Sequence, residues 1–310
     1  MNPSRHLLLC AAVGYDWPQL APFARSLRRT GYAGEVLMLV GPLSAADRRE
    51  LSAAGITPWR IQPLLSRFPP LVPRILRSRK LARLHAAAAW GCRHAPSAAL
   101  ARFLTHQAVG ELHHITCSRY SYYLEFLRRH ADRYDRVMTS DVRDVLFQAD
   151  PFSRPASAPI ECYLEDPGSL LGHEFFNAEW LRQVYGEAGL ARVADRCVSC
   201  SGITYGTVAG MLDYLTAMVN ELTRVLPTAA GARFLDQAVH NYLLWTGAWP
   251  AARPIENGAG AVFTMHAVPD EEIRVAPTGH LLDPAGRLIP VLHQFDRQPL
   301  HEPRLRELLT

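Results

Sequence analysis

No acidic residue lies between Leu51 and Gly110, yet that stretch holds Arg60, Arg67, Arg74, Arg77, Arg79, Lys80, Arg83, Arg93 and Arg102. The chain also lacks any apolar run of the ~18 residues a membrane-spanning helix needs, and it shows no internal repeat or low-complexity linker. These absences exclude a helical membrane protein, a solenoid and a disordered chain. Cysteine is sparse, with six in 310 residues, scattered from Cys10 to Cys200. That is no disulfide scaffold, and it fits a reducing compartment. Cys197-Val-Ser-Cys200 is a CxxC without a second CxxC or a histidine pair at zinc-ribbon spacing, so plain thiols are expected there. Lys80 is the only lysine, a bias of genome composition rather than chemistry.

What is present is ordinary for a soluble enzyme: 48% hydrophobic residues, 20% charged residues and a net charge of only +4. The acid-free stretch, not the overall balance, therefore carries the information. It points to an anionic partner: a diphosphate, an acidic glycan or a phospholipid surface. Nucleic acid is not expected, because aromatic and basic residues do not alternate as a stacking platform requires. The alternative is a solvated helix face balanced by acids elsewhere in the fold.

Short apolar runs alternate with helical patterns from the start. Leu7 to Val13 follows Met1–Arg5 in the outline of a short signal peptide. It runs into Gly14-Tyr-Asp-Trp17 without a small-residue cleavage pattern, and so reads as a buried first strand. An amphipathic stretch from Pro18 to Thr30, an apolar run from Val36 to Val40, a helix capped by Ser44, and Ile56–Ile61 complete a βαβ start. Gly31 and Gly34 punctuate the first helix-to-strand turn. Phe68-Pro-Pro-Leu-Val-Pro73 breaks this rhythm within a basic helical insertion over residues 62–105. Helices are expected within His106–Arg129, Ala178–Val193, Val208–Leu226 and Ala232–Trp245, and strands at Tyr134–Ser140, Glu161–Asp166 and Leu288–Leu292. The whole reads as one mixed α/β domain over residues 1–310, with a mostly parallel sheet flanked by helices.

The segment richest in chemistry is Ser140-Asp-Val-Arg-Asp-Val-Leu-Phe-Gln-Ala-Asp-Pro-Phe152. Asp141 and Asp144 follow a strand, where open α/β sheets bind ligands. Two carboxylates on one tight turn repel each other unless a cation sits between them, and oxygen ligands suit Mg²⁺ or Mn²⁺. A helix N-terminus with acids complementing its dipole is the structural alternative.

At this point the sequence resembles glycosyltransferases of the GT-A fold, akin to families 8 and 77. Asp144, six residues before Asp150-Pro, falls on the last Asp of their Asp-x-Asp metal motif. The first Asp falls on Val142, and Asp141 stands one residue upstream to substitute for it. Cys200-Ser-Gly-Ile-Thr-Tyr-Gly206 is similar to the segment that lines the sugars, with Ser201 and Gly202 at the donor. Phe234-Leu-Asp-Gln-Ala-Val-His-Asn-Tyr242 is similar to the Asp-Gln-x-x-x-Asn helix that presents polar groups to them. Val291-Leu-His-Gln-Phe-Asp-Arg297 resembles the segment whose histidine completes the metal site, with Arg297 as the nearby cation for the diphosphate. The resemblance covers residues 1–61 and 134–297 in outline.

It implies a GT-A, Rossmann-like nucleotide-diphospho-sugar transferase fold. It also implies transfer of a hexose from a nucleoside diphosphate sugar, a UDP-sugar foremost, to a hydroxyl of a glycan or small molecule. Asp141, Asp144 and His293 would hold Mn²⁺ or Mg²⁺. Gly14, Tyr15, Asp16 and Arg119 join Ser201, Gly202 and Arg297 as donor contacts. Asp236, Gln237 and Asp166 are the catalytic candidates, and Glu165 ends the same strand as Asp166. The related families retain anomeric configuration; inversion instead would make Asp236 or Asp166 a general base. The expected location is cytoplasmic, peripheral to the inner membrane through Arg60–Arg102. Two other readings compete. One is a non-catalytic glycan- or nucleotide-binding protein on the same scaffold, favoured by the displaced first Asp. The other is a nucleotidyltransferase, whose Gly-rich basic loop Ala11–Trp17 lacks.

Overall fold

The computed structural model describes residues 5–310; Met1–Ser4, the head of the signal-like segment, lie outside the described residues. The first apolar runs form β1 (His6–Ala11), β2 (Glu35–Val40) and β3 (Ile56–Arg60), alternating with α1 (Trp17–Arg29) and α2 (Ala45–Ala53). Asp16 starts α1 as its N-cap. Its carboxylate accepts from Gln19 N while the Gln19 side chain accepts from Asp16 N, a reciprocal capping box.

The acid-free stretch is helical, through α3 (Leu71–Leu76), α4 (Ala82–Arg93) and α5 (Ala98–Leu112). The first acid after it, Glu111, reaches back to accept from Leu65 N at 2.9 Å, tying that stretch to α5. The long pattern from His106 onward divides into the end of α5 and a second helix, α6 (Ile115–His130).

β4 (Arg136–Ser140) then enters beside β1, followed by β5 (Val145–Phe147), β6 (Ile160–Leu164) and α7 (Phe175–Ala191). β7 (Ser199–Thr207) leads into α8 (Val208–Arg224), α9 (Leu226–Ala229) and α10 (Leu235–Trp245). β8 (Ala252–Ile255), β9 (Val262–Thr264), β10 (Arg274–Val275), β11 (Leu281–Leu282), β12 (Val291–His293) and α11 (Glu302–Leu309) complete the chain.

The main sheet has seven strands in the order β3-β2-β1-β4-β7-β6-β8. Every neighbouring pair is parallel except the two made by β7, with β4 and with β6. Strand alternation sends Leu7 and Leu9 into one core with α6, α8 and α10, and Leu8 and Cys10 into another with α1. A separate three-stranded sheet, β5-β12-β9, was not foreseen beyond the Leu288–Leu292 run. Strands of three residues carry too little alternation to be read.

This topology positions the site. β1 to β3 step one way across the sheet and β4 returns on the other side of β1, so the order reverses between β1 and β4. Ligands bind at such a reversal, off the carboxyl ends of the strands. Those ends carry Gly14-Tyr-Asp16 and Asp141–Asp144.

Candidate active site

β4 ends at Ser140, and Asp141 keeps the ladder going for one more bond by donating its N–H to Gly202 O at 2.8 Å. The chain then turns so that Val142, the residue at the motif's first Asp position, packs into the core at 2% exposure. The nearest carboxylate upstream of Val142 is that of Asp141. Asp144 immediately precedes β5, where Val145 stands opposite His293 of β12. Register alone thus brings a residue near the end of the chain to the turn after β4. His293 Nε2 lies 3.8 Å from Asp141 Oδ2 and 4.0 Å from Asp144 Oδ1.

Asp141, Asp144 and His293 each offer one ligand atom within 4.8 Å of the others, the one such cluster among the described residues. Three observations show that the set fits a divalent cation. His293 Nε2 is buried with no hydrogen-bond partner. A Cβ on Gly202 would come within 2.6 Å of Asp141 Oδ2 and within 2.8 Å of His293 Nε2, so glycine keeps the space before the ligands open. Two carboxylates and an imidazole are a donor set for Mn²⁺ or Mg²⁺. Burial pushes the Asp144 carboxyl up, against the pull of His293. Burial also opposes ionisation of Asp141, but Arg119 and His293 outweigh it and hold that carboxyl well below the usual range. Burial disfavours a proton on His293; Cys200, Asp141 and Asp144 overcome it and raise its proton affinity. The negative surroundings that attract a proton there also attract a cation.

Replacing Gly202 with alanine leaves ordinary extended backbone and changes only the space. The G202A protein is expected to fold and to bind Mn²⁺ at least about tenfold more weakly than wild type, read by isothermal titration.

Arg119 of α6, expected at the donor, is buried and committed internally. It pairs with Asp141, donates to Asp236 Oδ2 at 3.0 Å and reaches Ser201 O at 3.5 Å. The guanidinium thus ties the metal turn to α10. Burial raises the Asp236 carboxyl, and Arg119 counteracts it. Ser201 adds a hydroxyl to Asp236 Oδ2 at 3.3 Å.

The amides of α10, expected to face the sugars, bond the backbone of β7. Gln237 Oε1 accepts from Ser201 N at 2.7 Å, and Asn241 brackets Ser199 by accepting from its N–H and donating to its C=O, both at 2.8 Å. These amides stand in for strand partners where the β6–β7 register shifts between Cys162 and Leu164. They hold Ser201 and Gly202 in place. His240 is fully buried, 3.0 Å from Ser199 Oγ and 3.0 Å from Tyr214 OH.

Burial holds His240 neutral, with its pKa lowered to about 3, and does the same to His113, lowered to about 4. A folded state that refuses these protons is favoured fully above pH ~6.5 and loses that stability as pH falls toward 4. Each histidine contributes a slope of about 1.4 kcal/mol per pH unit in that window. Urea midpoints measured from pH 7 to pH 4 should fall accordingly, and H240Q should flatten the fall.

At the end of β6 the structure separates two neighbouring acids. Asp166, a catalytic candidate, accepts from Gly168 N through Oδ1 at 2.8 Å and shapes the turn. Glu165 is the buried one. Burial raises its pKa to about 7, with His293 opposing. Both acids line a cavity of about 350 Å³ with Cys197, Asn257 and Phe263. The Asp-Pro-Gly sequence at 166–168 is itself a turn signature, a signal the sequence reading left unused.

Among the remaining donor candidates, Gly14 has φ +90° in the loop after β1. Burial raises the Tyr15 hydroxyl, and Arg143, Asp141 and Asp144 act on it through space. Asp16 is occupied as the cap of α1. Arg297 is exposed beside Asp296, with Nε 3.4 Å from its Oδ1. Asp150 accepts from Phe152 N at 2.8 Å, a turn that carries the chain away from the metal segment.

No family model matches the chain, and no curated protein matches it. Among solved structures it is similar to the galactosyltransferase LgtC, crystallised in complex with donor and acceptor sugar analogs. The match covers 98% of this chain and 95% of that chain at 13% identity and a TM-score of 0.50. Identity this low speaks for architecture alone: the chain has the GT-A fold.

Proposed function

We propose that the protein is a divalent-metal-dependent glycosyltransferase. Its donor is a nucleoside diphosphate sugar, UDP-linked in the first instance, and its acceptor is a hydroxyl of a glycan or small molecule. The observation that carries this reading is the buried, unpartnered His293 Nε2 facing Asp141 and Asp144 across the space kept by Gly202. It sits at the order reversal of a GT-A sheet, a fold shared with a galactosyltransferase that binds donor and acceptor sugar analogs. The displaced first Asp favours a binding-only protein; the Asp141 carboxylate, 3.8 Å from His293 Nε2, supports the metal-dependent reading instead.

Asp141, Asp144 and His293 would hold Mn²⁺ or Mg²⁺, which neutralises the charge that develops on a departing diphosphate. Gly14 and Tyr15 shape the nucleotide end. Arg297 adds a cation for the diphosphate, able to grip phosphate oxygens bidentately. Asp236, fixed by Arg119 and Ser201, orients the donor sugar. Asp166 and Glu165 share one cavity at the end of β6 and are the candidate acids toward the sugars, while Gln237 supports Ser201 from behind. Retention of anomeric configuration goes with this assignment, which names no general base. The six cysteines, all free, accord with a cytoplasmic location. No helix among the described residues is long and apolar enough to cross a membrane.

The test is a donor panel of UDP-, GDP-, CMP- and dTDP-sugars with Mn²⁺, followed by NMR for hydrolysis and transfer. Turnover of one donor that stops with EDTA is expected, with the product keeping the donor's anomeric configuration. Turnover that survives EDTA would contradict the metal assignment, and no turnover of any donor would contradict the transferase.

A further inference from the structure

Among the described residues, eight of the thirteen exposed large apolar side chains fall between Leu64 and Phe103, the same stretch that has no acid. Leu71 is 63% exposed, Trp90 60% and Phe103 58%. Their placement follows from the helices. α4 buries His85, Ala89 and Cys92 at i, i+4, i+7, which turns Arg83 and Trp90 outward. α5 buries Ala108, Val109 and Gly110 and leaves Leu100 and Phe103, one turn apart, facing away. A monomer rarely exposes so concentrated an apolar set unless something covers it.

The charges of the same stretch are equally unspent. None of its nine cations, from Arg60 to Arg102, makes a salt bridge with a carboxylate among the described residues. A cleft of about 590 Å³ opens between α4–α5 and α6–α8, and Arg93, Arg102 and Arg128 line it. Its two acids are taken: Glu125 pairs with Arg129, and Glu221 with Arg224 at 2.6 Å. Arg128 feels both burial and the like charge of Arg102. Arg93, Arg102 and Arg128 outnumber the acids of the cleft, both of which are already paired, and such a cluster attracts an anion.

We infer that the face built by residues 64–103, with the cleft beneath α4 and α5, docks on an anionic lipid bilayer. The apolar side chains would enter the interface while Arg93, Arg102 and Arg128 take lipid phosphates. One occupant satisfies both halves of the observation. A second copy of the chain does not, because a two-fold contact would set this acid-free surface against itself. Nucleic acid fits less well, because five of the eight exposed apolar side chains, Leu64, Leu71, Ile75, Leu84 and Leu100, are aliphatic and give bases nothing to stack on. No ligand of the metal cluster belongs to this face, so the docking surface stands or falls separately from the transferase reading.

The test is cosedimentation of the full chain with vesicles of equal parts phosphatidylglycerol and phosphatidylcholine, beside vesicles of phosphatidylcholine alone. Binding to the first only, weakening steeply with salt, is expected. W90S/F103S should lower partitioning at least about tenfold. R102Q/R128Q should lower it roughly fivefold per arginine. Both variants should keep the wild-type melting temperature, and if the apolar variant fails to fold, the arginine variant carries the test. Four results would overturn the proposal: vesicle binding unchanged in the folded variants, no vesicle binding at all, self-association that W90S/F103S abolishes, or RNA binding without vesicle binding. A melting shift with free pyrophosphate that R102Q/R128Q removes, in a protein that ignores vesicles, would instead make the cleft a soluble-anion site.

Discussion

Asp144→Asn is expected to lower donor turnover by about a thousandfold while leaving the fold intact. The figure follows from the several kcal/mol of transition-state stabilisation that a metal supplies where negative charge develops. Asn keeps the shape of the side chain and half of its hydrogen-bonding capacity, but it removes the charge opposite His293. Because burial opposes ionisation of Asp144 in the first place, the neutral variant relieves a desolvation cost. The melting temperature without metal should therefore hold or rise. A loss of turnover together with a loss of stability would point to a structural role instead. Kinetics at saturating Mn²⁺, read beside a thermal melt in EDTA, separates the two.

The second large effect is expected at Arg119. Its guanidinium is shared by Asp141 and Asp236 and is almost wholly buried. Arg119→Met removes the cation and leaves Asp236 enclosed without the partner that offsets the cost of its burial. Breaking a buried pair from one side costs about 3–5 kcal/mol. Urea denaturation should show that loss, and turnover should fall with it because Asp141 loses the partner that fixes its orientation. Arg119→Lys should recover little, since one ammonium cannot reach both carboxylates and Ser201 O in the planar geometry of the fork. Adding Asp236→Leu to Arg119→Met should restore much of the stability and none of the activity. That combination distinguishes a residue needed for chemistry from one needed only to fill space.

These two residues also mark how far the sequence can be read. The βαβ start was legible because Leu7–Val13 and Val36–Val40 are unbroken apolar runs of the kind a doubly covered parallel strand requires. The small sheet β5-β12-β9 was not, because Val145–Phe147 and Val262–Thr264 are too short to show a period. Yet it is this sheet, through the pairing of His293 with Val145, that carries His293 to Asp144. The members of the triad were readable one by one from short motifs, whereas their convergence is a matter of register. Arg119 was readable only as a cation ahead of β4; its two salt bridges, to Asp141 and to Asp236, depend on where α6 and α10 meet.

Similar limits explain the acids at the end of β6 and the amides of α10. Sequence placed Glu165 and Asp166 together, and the turn chemistry of Asp166-Pro-Gly decides which of them faces inward. Gln237 and Asn241 were visible as an i, i+4 pair, but helical spacing says nothing about what lies opposite that face. Opposite it is the backbone of β7 at a break in its pairing with β6, and the two amides close that gap.

The most direct test of the metal-dependent donor site is a melting panel on the purified protein with UDP, GDP, CMP and dTDP, each in Mn²⁺ and in EDTA. A ligand at ~100 times its dissociation constant that binds only the native state adds ~2.7 kcal/mol, a clear upward shift. One nucleotide should raise the melting temperature in Mn²⁺, lose most of that effect in EDTA, and lose it again in Asp144→Asn. No shift with any nucleotide in either condition would contradict a nucleotide-sugar site at Asp141, Asp144 and His293.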